Sequence, residues 1–148
     1  MNADQLRDYK RECLLDEHRS LSSFVEKEIV MTTVTKLVAV ACWLAGSGAR
    51  PLPAVAVAVL ALWSVDVLYA YYGDVYKRRR LQVRAWLEAL PRAAEADLAS
   101  WKTPANPFDG LSRNEKISAM TGTIGSPAVS GLYLALLAMT VVLGALRG

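Results

Sequence analysis

Apolar residues gather in three blocks along the chain: Ile29 to Gly46, Leu52 to about Tyr72, and about Ser126 to Leu146. Charged stretches separate them. A bilayer core is about 30 Å thick, so a spanning helix needs ~20 mostly apolar residues at a rise of 1.5 Å each. The first block contains the single charge Lys36, the second the single charge Asp66, and the third none. A crossing block has to be helical, because lipid leaves no water to satisfy backbone N–H and C=O groups. The pattern predicts an all-α, three-span transmembrane protein. Its segments are an N-terminal cytoplasmic helix over 1–28, a first span over 29–46, and a second over 52–90 that extends into the cytoplasm. A cytoplasmic loop with short helices over 91–123 and a third span over 126–146 follow.

Helix punctuation refines these boundaries. Ser23 followed by Glu26 reads as a capping box that opens a helix running into the first span. The cluster from Gly46 to Pro53 predicts a tight hairpin between spans one and two. From Leu52 to Leu90 the one internal breaker is Gly73, and Pro91 marks the end of the helix. Residues 103–111 read as a loop. Ser112 with Glu115 gives a second capping box for a short helix, and Ser126-Pro127 is an N-cap followed by proline at the first helical position. The first block does not read as a signal peptide, since it begins far from Met1 and follows a charged stretch.

The 148 residues suit one domain, and a hydrophobic fraction of 53 % excludes disorder. The 17 Lys+Arg residues are unevenly placed. Arg7, Lys10, Arg11, Arg19 and Lys27 precede span one, and Lys77, Arg78, Arg79, Arg80, Arg84, Arg92, Lys102, Arg113 and Lys116 lie between spans two and three. Only Arg50 and Arg147 fall on the other side. The positive-inside rule then puts the N-terminus and the 73–123 segment in the cytoplasm. Within the first segment Asp4/Arg7, Asp8/Arg11 and Asp16/Arg19 are i,i+3 pairs beside a stripe of Leu6, Tyr9, Cys13 and Leu14.

Two intramembrane charges are the first candidates for chemistry. Counted from the hairpin, Lys36 and Asp66 both sit roughly 15–20 Å deep, and an unpaired charge there costs several kcal/mol. Pairing is therefore expected, either as a fold-fixing ion pair or with Asp66 lining a water-filled path in an oligomer; Lys36 could also snorkel to the surface. Ala54/Ala58 and Gly131/Ala135 have the small-xxx-small spacing that lets helices approach closely in lipid. Three helices can scarcely enclose a pore, so a conducting path requires several copies. At the inner interface, Lys77, Arg78, Arg79, Arg80 and Arg84 read as a topology anchor on anionic headgroups or as a phosphate-binding surface for a nucleotide or oligonucleotide. Trp86 and Trp101 are candidates for stacking on bases, or for a core. Trp63, Tyr69, Tyr72 and Tyr76, with Tyr71 among them, read as an interfacial aromatic belt. Cys13 and Cys42 imply no disulfide framework, and His18 is the one histidine. No metal-ligand spacing and no glycine-rich phosphate loop occurs, so neither a cofactor nor an enzyme is expected.

The run Trp63-Ser-Val-Asp66-Val-Leu-Tyr69, followed by Tyr76-Lys77, resembles a family of small bacterial multi-pass membrane proteins in which Trp-x-x-Asp-x-x-Tyr ends a span. Lys36 in the preceding span and Asn106-Pro-Phe-Asp109 before the last span fit the same pattern, whereas Gly73-Asp74 stands where Glu is usual. Some proteins of this kind are membrane effectors of antiphage defence systems, paired with a nucleotidyltransferase or another sensor. The resemblance implies an oligomeric inner-membrane effector that permeabilises the bilayer on a cytoplasmic signal, with the bilayer, copies of itself and a nucleotide or sensor protein as partners. The alternative is a non-conducting accessory or scaffold subunit of a larger membrane complex. A transporter is disfavoured, since three spans show no inverted repeat.

Overall fold

The computed structural model describes residues 3–49, 52–101, 108 and 111–147. Its helices are α1 (Ala3–Ala49), α2 (Leu52–Ala89), α3 (Glu95–Ser100), α4 (Arg113–Ile124) and α5 (Pro127–Arg147), with a 3-10 turn over Leu90–Arg92 after α2. No strand occurs among the described residues. Three helices, α1, α2 and α5, are long and apolar enough to cross a membrane. The protein is thus all-α with three spans, as its hydropathy pattern predicts.

α1 is one helix of 47 residues. Neither glycine nor proline occurs between Ala3 and Ala45, and helix formation propagates cheaply once nucleated. Ser23 therefore lies in mid-helix, and the pair Ser23/Glu26 opens nothing, contrary to the capping-box reading. The helix also continues through Gly46 and Gly48 to Ala49, so the break between spans is narrower than the Gly46–Pro53 cluster suggests. Arg50 and Pro51 lie outside the described residues. So do 102–107, 109 and 110, and with them Lys102 and most of the 103–111 loop, including Asn106, Pro107 and Asp109. α2 passes through Gly73 without interruption and gives way after Ala89 to the 3-10 turn that contains Pro91. α4 starts directly after Ser112, and α5 starts at Pro127, the residue pre-set for the first helical position.

The chain divides into two compact units. A polar unit comprises 1–27 and 73–112, and an apolar unit 28–72 and 113–148. The polar unit has two apolar clusters. In one, Leu14, Leu21 and Val83 are buried beside Tyr76, Trp86 and Leu87. In the other, Leu90, Ala93 and Leu98 pack with Leu6. Trp101 joins both. Leu6 and Leu14 of α1 and Val83, Trp86 and Leu87 of α2 thus find their burial here, whereas Tyr9 of the same α1 stripe stays exposed. Arg7 and Lys10 donate to the carbonyls of Ala93 (3.3 Å) and Trp101 (2.8 Å), tying the α3 segment to α1.

In the apolar unit, Ala39 of α1, Val59 of α2 and Tyr133 and Leu136 of α5 form the centre, lined by Trp43, Leu62, Trp63 and Leu132. Outward-facing residues are themselves apolar, among them Leu37, Leu44, Val57, Leu134, Val141 and Leu146. That inverted surface suits lipid rather than water. Gly46 lets α1 and α2 meet closely, since a Cβ there would come within 2.7 Å of Val55 Cγ2. Gly48 faces open space. Gly46→Leu is expected to lower stability by about 1–3 kcal/mol through overpacking, whereas Gly48→Ala should leave it unchanged or slightly raised. Thermal unfolding of the detergent-solubilised protein, followed by circular dichroism, separates the two.

Candidate functional site

The apolar unit has a polar interior, and α5 supplies one side of it. Ser130, Tyr133, Thr140 and Arg147 recur at intervals of 3, 7 and 7 residues and so share one helix face. Trp63 on α2 donates its indole N–H to Ser130 Oγ at 3.1 Å, and Ser130 in turn donates to the Ile124 carbonyl. Trp43 on α1 donates to Thr140 Oγ1 at 3.0 Å, and Thr140 donates to the Leu136 carbonyl at 2.8 Å. Arg147 donates to the Ser47 carbonyl. Both hydroxyls accept from another helix; Thr140 donates back into α5 and Ser130 to the last carbonyl of α4, so neither proton needs water.

Between these contacts lies Asp66, with a side-chain exposure of 0 %. Lys36 Nζ approaches Asp66 Oδ2 to 3.6 Å and donates to the Ala128 carbonyl at 2.9 Å. Lys36 thereby touches both other spans, and the pairing expected from the two charges is present. The geometry is nonetheless loose. Neither carboxylate oxygen accepts a hydrogen bond of good geometry among the described residues, although the buried Tyr133 hydroxyl adjoins the carboxylate closely enough to interact with it. Glu28, about two turns before Lys36 on α1, adds a further carboxylate to the field acting on Asp66.

The basic residues of α2 are not arrayed toward one ligand. Arg79 is buried, and its guanidinium grips Glu17 with Nε at 2.7 Å and Nη2 at 3.3 Å. A third N–H donates to Gln82 Oε1 at 2.8 Å, and the guanidinium carbon lies 4.7 Å from the Trp86 ring centre. Trp86 stacks on Trp101 with planes at 6° and centroids 5.6 Å apart, which takes up one face of each ring. Arg78 pairs with Asp74 at 2.8 Å and Arg84 with Glu88 at 2.9 Å, both at i,i+4 spacing on the exposed surface. Lys77 and Arg80 are half-buried on the same helix. Of the aromatic residues, Tyr69 and Tyr72 are exposed, Trp63 is turned inward to Ser130, and Tyr76 stacks on Phe24 at 4.4 Å. Cys13 and Cys42 are free thiols.

Tyr133, Ser130, Thr140, Trp43 and Glu17 are functional-site residues that the motif pattern alone does not single out. The 130/133/140/147 spacing was a usable signal for the first three, because these are the polar side chains of an otherwise apolar span. Glu17 carries no such signal, as it is one of many charges on α1. Comparison with known protein families, curated proteins and solved structures finds no match. The likeness to small bacterial membrane proteins rests on its motifs alone.

Two substitution sets test this geometry. Lys36→Met leaves the Asp66 carboxylate buried without its cation. The penalty at pH 7 is bounded by protonating it, about 4 kcal/mol for ~3 pH units, whereas Asp66→Leu strands a lysine that can still reach the surface and should cost less. The double variant is expected to recover most of the loss, and unfolding in SDS mixtures measures all three. In the polar unit Arg79→Lys should destabilise by about 1–3 kcal/mol, because it loses the fork and the stacking. Arg84→Ala should stay within about 0.5 kcal/mol.

Proposed function

We propose that the protein is an oligomeric inner-membrane effector that lets ions cross the bilayer when a cytoplasmic trigger engages its polar unit, in the manner of bacterial antiphage effectors. The observation carrying this reading is Asp66, wholly buried in a span and paired with Lys36 at a loose 3.6 Å. A buried pair stabilises a fold only when its geometry is good and its remaining lone pairs are satisfied. Here the pair stands at 3.6 Å and the carboxylate oxygens lack a well-formed hydrogen bond among the described residues, and an ionisable residue inside a membrane points first to a functional role such as an ion or proton pathway. In the open state Lys36 and Asp66 separate, and the carboxylate faces a path shared by several copies.

Self-association draws support from α5. Gly131, Ala135 and Ala138 share an outward face, and nothing lies within 4 Å of a Cβ built at Gly131. In lipid such a seam is where a second helix can approach. A protein trigger fits the polar unit better than a nucleotide, because Arg78, Arg79 and Arg84 already hold carboxylates. With the N-terminus cytoplasmic, that unit meets the trigger on the inner face. The alternative, a non-conducting accessory or scaffold subunit, is favoured by the closure of Lys36 onto Asp66 and Ala128 within one copy.

Conductance of the purified protein in planar bilayers decides between the two. Discrete currents are expected, and Asp66→Ala should abolish them while the protein stays in the membrane; unchanged currents would remove Asp66 from the pathway. Gly131→Leu should lower the oligomer mass in nanodiscs. An assembly that is silent with every trigger tested, and leaves cells polarised on overexpression, would instead establish the scaffold.

A further inference from the structure

α4 contains no buried residue. Yet Ile117, Met120 and Ile124 are large apolar side chains exposed at 52 %, 41 % and 39 %. At roughly 100° per residue the three fall within about 60° of one another. By the same spacing Arg113 lies in their stripe, Lys116 beside it, and Glu115 on the opposite face. A helix of 12 residues is marginal in water without something packed on its apolar side. The stripe therefore needs an occupant.

The neighbouring span identifies it. α5 has 21 residues, so it rises about 31 Å, close to the roughly 30 Å of hydrocarbon that it must cross. Crossing uses the whole helix and puts Pro127 at the hydrocarbon boundary. Only Gly125 and Ser126 separate Pro127 from α4, and the three steps from Ile124 to Pro127 reach at most ~11 Å. Gly125 N–H donates to the Thr121 carbonyl (3.0 Å) and Ser126 N–H to that of Thr123 (3.2 Å), which makes the link tighter still. Ile124 is held at the edge of the bilayer. Thr121 and Thr123 both donate their hydroxyls back into α4, at 3.0 and 2.9 Å, so they ask little of water. A helix with a lipid-sized apolar stripe and cations beside it is built to lie in an anionic interface.

We propose that α4 is an interfacial lipid-binding helix: Ile117, Met120 and Ile124 enter the acyl boundary, and Arg113 and Lys116 hold anionic phosphate headgroups. This does not depend on whether the protein conducts. The test uses the full chain, with Cys13 and Cys42 replaced by serine, in nanodiscs of phosphatidylcholine with or without phosphatidylglycerol. An environment-sensitive fluorophore is attached at Ile117→Cys or, on the opposite face, at Gly122→Cys. The label at 117 is expected to emit to the blue and to be quenched by lipids with a nitroxide near the headgroup, while the label at 122 stays water-like. Phosphatidylglycerol should deepen quenching at 117, and Arg113→Gln with Lys116→Gln should remove that gain. Water-like emission at both sites overturns the proposal. Blue-shifted emission that nitroxide lipids cannot quench also overturns it, because protein then covers the stripe. Quenching indifferent to phosphatidylglycerol overturns the headgroup role.

Discussion

Every polar group inside the spans has to find its partner within the protein, because the bilayer core contains no water to provide one. Apolar side chains decide little there, since lipid tails are as apolar as leucine. The polar stripe of α5 is what gives the three spans a defined arrangement. Ser130 takes the Trp63 indole, Thr140 takes the Trp43 indole, and the Ala128 carbonyl takes Lys36. One span is thus keyed to both others through directional contacts. Slipping α5 by a single residue would turn its stripe through about 100° and break them together.

Asp66 is the exception to this economy. The indoles and the Ser130 and Thr140 hydroxyls near it are paired, yet its carboxylate and the adjoining Tyr133 hydroxyl complete no well-formed hydrogen bond among the described residues, and its cation stands at 3.6 Å. Loosely held groups in an otherwise satisfied interior are poor contributors to stability and good candidates for a second arrangement. The functional proposal rests on that contrast.

The polar unit follows the rules of water. Its apolar clusters are buried beside charged residues, and the buried cation Arg79 is fixed by a fork on Glu17 and a stack on Trp86. Arg78 and Arg84 spend their charge on neighbours one turn away. A run of basic residues is therefore not a run of equivalent binding groups. On a helix their side chains diverge by roughly 100° per residue, and each meets a different environment.

Hydropathy and the spacing of breakers were enough to determine three spans, the long continuation of α2 to Pro91 and the start of α5 at Pro127, because these depend on local propensity and on the length of apolar runs. The Lys36–Asp66 pair was legible for the same reason: two opposite charges at matched depth on adjacent antiparallel spans have few other options. Sequence proved a poor guide where local signals competed. Ser23/Glu26 has the pattern of a cap, but the surrounding residues carry α1 straight through it, and Gly46 and Gly48 are absorbed into the same helix. Only the tertiary structure decided that Trp63 turns inward, that Arg79 alone of its run is buried, and that Tyr133 lies beside Asp66. Such outcomes depend on which face of one helix meets which face of another, a long-range choice that no run of neighbouring residues encodes.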